Sequence, residues 1–174
     1  MTFSIEKSIE ILSRTPDTLQ ALLSGLSEEW LMENEGDQTW SPYEIVGHLI
    51  HGEKTDWIPR ARMILSDLED KTFIPFDRFA QNKAGNQTSI EDLIQEFREL
   101  RTKNIEELKS MQITDDLLEQ KGIHPELGEA RLNDLLASWV VHDLGHISQI
   151  TRVMAKQYKD EVGVWQAYLG ILKR

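Results

Sequence analysis

Cysteine does not occur in this chain of 174 residues. No disulfide framework, no thiolate-held metal and no cysteine nucleophile can operate in it, so any thiol chemistry must use a thiol carried by a small molecule. Long apolar runs are missing as well: none approaches the roughly 18 to 20 residues that a membrane span requires. Basic residues never cluster beyond a pair, and acids outnumber bases 30 to 19 for a formal net charge of −11. A duplex-binding surface needs clustered Lys and Arg to neutralise phosphates, so no nucleic-acid partner is expected. The same balance argues against adhesion to an anionic membrane. The opening segment from Met1 to Lys7 lacks the basic and apolar layout of a secretory signal, and a cytoplasmic location is expected. Several chemical motifs are also absent: His-Glu-x-x-His, Glu-x-x-His, the phosphate loop and the dinucleotide fingerprint.

What is present reads as one globular domain spanning residues 1–174. Hydrophobic residues at 40% and charged residues at 28% are ordinary for such a domain. Apolar spacing predicts a short helix from Ser4 to Arg14, with Ile5, Ile9 and Leu12 on one side. Thr15-Pro16-Asp17 restarts the chain, with Thr15 as N-cap and Pro16 at the first helical position. That helix carries Leu19, Leu22, Leu23 and Leu26 and ends near Gly25. Leu31 to Gln38 is polar and reads as a loop. Ser41-Pro42-Tyr43-Glu44 is a dense start signal: Ser41 caps, Pro42 opens the helix and Glu44 closes a capping box. The helix should run from about Pro42 to about Ser66, with a kink or break near Asp56 imposed by Pro59.

Residues 69–86, with Pro75 and Gly85, predict a long loop or a short helical segment. Thr88-Ser89-Ile90-Glu91 predicts a second capping box opening a helix to about Met111, with Leu93, Phe97, Leu100, Asn104 and Leu108 at helical spacing. Thr114 to Leu118 fits one turn, and Gly122 to Gly128 reads as a loop punctuated by Pro125. The fourth long helix is expected from about Leu132 to about Tyr158, with Leu135, Trp139, His142, His146 and Ile150 along its inner stripe. Val162 to Leu172 fits a short closing helix carrying Trp165, Tyr168 and Leu169. No alternating strand pattern or hairpin signal is visible. The expected architecture is all-α, a four-helix bundle with short extra helices.

The histidines carry the chemistry. His142 and His146, four residues apart, lie about 40° from each other around a helix and one turn apart, so both can reach a single ion. A third ligand must come from His48, His51 or His124. His48 shares a stripe with Ile45, Leu49, Gly52 and Asp56, facing the bundle interior where such sites are built. His51 points about 60° away from that stripe. Three neutral imidazoles with one open position match a catalytic metal site. His124, between proline and glycine, is either an exposed loop residue or a contact at the pocket mouth. Glu44, a turn before His48, is a candidate for orienting that ring or accepting a proton, although a capping box already explains it. Asp143 projects about 100° from His142 and reads as a solvated or ion-paired carboxylate.

Three segments together resemble the DinB/YfiT-like superfamily: Trp40-Ser41-Pro42-x-Glu44-Ile45-x-x-His48-Leu49, then His124-Pro125-x-x-Gly128, then His142-Asp143-x-x-His146-x-x-Gln149-Ile150. The resemblance covers nearly the whole chain. It implies a four-helix bundle, often a homodimer, with a divalent metal, zinc or nickel most often, held by His48, His142 and His146. It also implies a small-molecule substrate and, in members of known activity, a low-molecular-weight thiol of the bacillithiol or mycothiol type used in S-transfer or isomerisation. Related members suggest metal-dependent hydrolysis instead; with a metal-bound hydroxide as nucleophile, Glu44 or His124 would be the proton carrier. A third expectation is a non-catalytic metal-binding bundle or dimerisation module.

Overall fold

Four helical columns make up the architecture, and local chemistry explains where each begins and stops. The computed structural model describes residues 2–78 and 88–173. The first column is α1 (Ile5–Leu12) followed closely by α2 (Thr15–Leu23). Ser4 caps α1, its hydroxyl oxygen accepting the Lys7 amide hydrogen. Thr15 does not take the expected capping role: Arg14 occupies the cap, and Thr15 is already helical. Its hydroxyl instead donates to the buried carboxylate of Asp143 at 2.6 Å, a charge-assisted bond stronger than a neutral cap. Beyond α2, Gly25 takes φ 77°, a left-handed conformation that glycine adopts without strain. A short helix α3 (Glu28–Met32) then buries Leu31, so the start of the predicted loop is helical.

The second column contains α4 (Pro42–Thr55) and α5 (Trp57–Leu65). The predicted capping box is formed in both directions. The Glu44 carboxylate accepts the Ser41 amide at 2.9 Å, and the Ser41 hydroxyl accepts the Glu44 amide at 3.2 Å. The predicted break falls at Asp56 (φ −110°, ψ −76°), where the ring of Pro59 would otherwise meet the preceding turn. The third column is α6 (Ile90–Ser110). Its cap is Ser89, which accepts the Asp92 amide at 3.1 Å, one residue later than the predicted Thr88 and Glu91 pair. The shift turns Ile90 into the core, and Glu91 accepts the Gly25 amide instead.

After the single turn of α7 (Asp115–Leu118), the predicted loop proves to be an antiparallel hairpin. It consists of β1 (Lys121–His124) and β2 (Gly128–Arg131), with Lys121 opposite Arg131 and His124 opposite Gly128. Four-residue strands with mostly exposed side chains carry no alternating apolar pattern, so the usual strand signal is lacking. The turn chemistry is informative instead: Gly128 takes φ 80°, and Nδ1 of His124 accepts the Glu126 and Leu127 amides at 3.2 Å. The hairpin also pins the preceding loop, with the Phe73 amide donating to the Ile123 carbonyl at 2.9 Å and the Ile123 amide to Lys71 at 3.0 Å. Gly122 is required by this approach, since a Cβ there would meet the Phe73 ring at 2.4 Å. The segment expected at 69–86 is a loop through residue 78, and the remainder lies outside the described residues.

The fourth column is α8 (Leu132–Gln157). Two 3-10 turns, Gly163–Ala167 and Gly170–Lys173, stand where a short closing helix was predicted. The first two columns each pack against both α6 and α8. Among the described residues, no helix is long and apolar enough to cross a membrane.

The buried apolar residues form two clusters. One contains Leu12, Trp57, Ile105 and Trp139, and the other Leu19, Ile50, Phe97 and Ile150. On each column a polar residue separates the two: Thr15, Glu53, Arg101 and Asn104, and Asp143. The Arg101 guanidinium, 1% exposed, holds Asp143 with two bonds of 2.6 and 3.0 Å and Glu53 with one of 2.8 Å. Burial works against its charge, but the Asp143 and Glu53 carboxylates more than offset this and raise its pKa. Asp143 is thus ion-paired as one expectation had it, but wholly buried rather than solvated. Trp139 donates to Glu53 at 3.0 Å and Asn104 donates to it at 3.0 Å, closing the layer. Removing one member of a buried pair leaves unpaired charge and typically costs about 3–5 kcal/mol. Arg101→Met is therefore expected to lower the unfolding free energy by about that amount, measured by urea titration. A loss below about 1 kcal/mol, as for an exposed pair, would contradict the structural role of this layer.

Candidate metal centre

The capping box at Ser41 and Glu44 sets the register of α4, and His48 follows one turn after Glu44, buried at 5% exposure. On α8, Asp143 is fixed toward Arg101, which sets the helix rotation that turns His142 and His146 toward α4. The Nε2 atoms of His48 and His146 each lie 3.1 Å from Nε2 of His142. Ligand atoms of all three lie within 4.8 Å of one another, and the group could hold a metal ion.

A neutral imidazole nitrogen either donates or accepts one hydrogen bond. His142 Nε2 therefore cannot satisfy both neighbours by hydrogen bonding, whereas a shared cation can. Two nitrogens at about 2.0–2.1 Å from a tetrahedral zinc ion would stand about 3.3 Å apart, close to the spacing found. The donor set fits a divalent transition metal.

Electrostatics keep these rings in their ligating form. Burial lowers the pKa of His48 to about 3, assisted by the charges of His146, His51 and Arg78. Burial likewise lowers His142 to about 3, with His146, His48 and Arg101 adding to the effect. His146 is lowered by burial, against its hydrogen bond to Gln149 and the charge of Asp143. Gln149 Oε1 lies 2.9 Å from His146 Nδ1. With the Nδ1 hydrogen donated there, the Nε2 lone pair of His146 is left facing the cluster. Aromatic rings enclose the group: Trp40 lies 4.5 Å from His48, Trp57 5.0 Å from His142, and Phe76 5.4 Å from His48.

The histidines open onto a cavity of about 370 Å³ that Trp40 and Phe76 also line, within the lower range of small-molecule sites. Asp56, Arg60, Arg78 and His124 complete its lining. His124 therefore faces the cavity while its Nδ1 anchors the hairpin turn. Glu44 is not among the lining residues, and its carboxylate is engaged in the capping box. His51 is outside the three-histidine group, with its ring 4.8 Å from Phe76. Sequence reasoning left Arg60, Arg78 and the role of Gln149 unnoticed. Gln149 was detectable as the residue three after His146 on one helix; Arg78, on a loop, carried no such periodic signal.

The sequence profile of the DinB superfamily matches residues 11–150. The chain belongs to the DinB superfamily. Among solved structures it is similar to YfiT from Bacillus subtilis, described as "a probable metal-dependent hydrolase with an unusual four-helix bundle topology". That similarity has a TM-score of 0.72 at 19% identity, covering 93% of this chain and 91% of that one. It is also similar to TT2238, described as a four-helix bundle protein, with a TM-score of 0.56 at 19% identity over 85% of this chain and 98% of the other. At such identities these similarities show the shared fold, and both relatives are four-helix bundles. No curated protein matches the chain.

Two outcomes follow from the geometry. Gln149→Ala removes the partner that orients His146, and metal affinity measured by competition with a chelator dye should fall about 10- to 100-fold. The metal-free protein should also lose stability as pH falls. Unfolded histidine protonates near 6.5 whereas His48 and His142 resist protonation to about 3, so below 6.5 the unfolded state binds more protons. Asp56 acts in the opposite sense: burial raises it from 3.8 to about 6 against the pull of Arg60, so its protonation favours the folded state. One carboxyl offsets only part of three histidines. Glu35, held at about 2 chiefly by its hydrogen bond from Arg152, adds a loss only below 4.5. Melting temperature should therefore decline from pH 7.5 to 5, less steeply in His48→Gln/His142→Gln, and equal slopes would refute the assignment.

Proposed function

We propose that this protein is a divalent-metal enzyme that transfers a small-molecule thiol to an electrophile in the cavity above His48, His142 and His146. The observation that carries this is the convergence of His48 and His146 Nε2, each 3.1 Å from His142 Nε2, in the lining of a cavity of about 370 Å³. The absence of cysteine supports a thiol brought in on a cofactor. A bound zinc or nickel ion, both suited to imidazole ligands, would supply a Lewis-acid centre that lowers the pKa of the incoming thiol.

In this proposal the three histidines hold the ion and Gln149 fixes the tautomer of His146. Trp40 and Phe76 exclude water and leave an apolar surface for the organic part of the substrates. The thiol sulfur bonds to the electrophilic carbon, the leaving group departs with its electron pair, and the thiol proton passes to solvent. His124 Nδ1 accepts two backbone amides, so Nε2 carries the ring hydrogen and is the atom that can donate to a leaving group. Glu44 contributes by starting α4 and so placing His48. The proposal includes a homodimer, to which the exposed Val164, Trp165 and Tyr168 offer apolar surface, and a cytoplasmic setting that keeps small thiols reduced.

A second reading, hydrolysis by water activated at the same histidines, draws support from the description of YfiT. Protein loaded with zinc or nickel, incubated with a small thiol and a chlorinated nitroaromatic, separates the two. Thioether should form faster than with His142→Ala, whose rate is expected to equal the uncatalysed one. Hydrolysis of an ester or amide in thiol-free buffer, without thioether formation, would replace the transferase reading with the hydrolase one.

A further inference from the structure

The charge of the cavity wall differs in sign from that of the protein. The chain carries −11 overall, yet the wall facing the histidines presents two guanidiniums, Arg60 and Arg78, against the single carboxylate of Asp56. In a small cavity with apolar walls, such a field concentrates anions.

The two arginines reach the wall by independent routes. Arg60 is 9% exposed and held on three sides: its Nε pairs with Asp56 at 2.6 Å, its Nη2 lies 3.5 Å from the Ile74 carbonyl, and its guanidinium sits 5.1 Å from the centre of the Phe73 ring. Taken alone, this pair is explained by the helix break at Asp56, where the two side chains close the joint between α4 and α5. Arg78 has no share in that joint. It lies on the loop that the backbone pairing of Lys71 and Phe73 with Ile123 tethers against β1, and it still faces the same cavity. His124 on the hairpin adds a third donor to this wall, since its Nδ1 already accepts amide hydrogens. Three donor side chains from α5, the loop and the hairpin thus converge opposite the histidines.

We propose that this wall is a carboxylate-binding subsite, and that the molecule taken into the cavity is a small carboxylic acid whose other end reaches the histidine cluster. The inference rests on the metal-enzyme reading and narrows its substrate class. The planar fork of a guanidinium matches a carboxylate edge to edge. The net excess of one positive charge on the wall suits a monoanion, and Asp56 repels a second negative charge there. The apolar rings of Trp40 and Phe76 line the same cavity beside His48 and offer surface for a short hydrocarbon spacer.

The test uses cobalt-loaded full-length protein, whose absorption reports a sulfur atom joining the ion. It is titrated with 3-mercaptopropionate and with the neutral 3-mercaptopropionamide, which has the same length and the same thiol. The acid is expected to bind about 10- to 100-fold more tightly than the amide, the range for charge-assisted hydrogen bonds. Arg78→Gln lies on a loop and is expected to melt as the parent does. It should weaken the acid and narrow the gap to about threefold or less. Equal affinities for acid and amide in the parent would overturn this inference and leave the metal site standing. A gap that Arg78→Gln leaves unchanged would overturn the assignment of the subsite to this wall. Failure of the protein to take up cobalt would overturn the metal reading and this inference with it; cobalt uptake without a response to either thiol would overturn the thiol-transfer reading and this inference while leaving the metal site standing.

Discussion

The pairing of Arg101 with Asp143 and Glu53 is the constraint on which the rest of the structure depends. A guanidinium at 1% exposure must have its charge balanced, and the two carboxylates that do so come from α8 and α4. The Leu12 carbonyl also accepts from it at 2.9 Å, and Thr15 shares Asp143, so every column is tied to this one level. An apolar layer of equal volume would be as stable or more so, but would allow the helices to slide and rotate. Because Asp143 adjoins His142 and Glu53 lies five residues after His48, locking the carboxylates inward fixes the angular setting of the ligating helices.

The histidine site follows from that setting at a cost of its own. Three neutral rings packed at 3.1 Å among aromatic neighbours cannot all be satisfied by hydrogen bonds with one another. His48 Nδ1 and His142 Nδ1 are buried without a hydrogen-bond partner among the described residues. A cation shared by the three rings would relieve this arrangement, and its binding would then be linked thermodynamically to folding.

Much of this was legible in the sequence where periodicity and helix-start chemistry speak. The capping box at Ser41 and Glu44, the break ahead of Pro59 and the inner stripe of α8 were all readable, and with them the convergence of His48, His142 and His146. Residues whose role is set by distant partners were less readable. Thr15 resembles a helix cap locally but serves Asp143 across the bundle. Arg101 looks like a surface residue by type, although it lies four after Phe97 and three before Asn104 on the buried face. The hairpin was hidden because short exposed strands lack alternation, and its glycines answer to the Phe73 ring and the turn rather than to a sequence rule. Arg60 and Arg78 meet only through tertiary pairing, which no local pattern encodes.

The division of labour between helices and the hairpin-tethered loop has an evolutionary consequence. The three clustered histidines reside on α4 and α8, whose positions the buried polar layer dictates, so few substitutions there leave the molecule intact. Phe76 and Arg78, on the loop that ends the described segment at residue 78, and His124, at the end of β1, line the cavity as well, and these pieces contribute little to the central core beyond Phe73. Changes in length or charge in those pieces can reshape the cavity lining while the histidine cluster stays as it is. One scaffold can in this way diversify its chemistry cheaply, by rewriting its periphery.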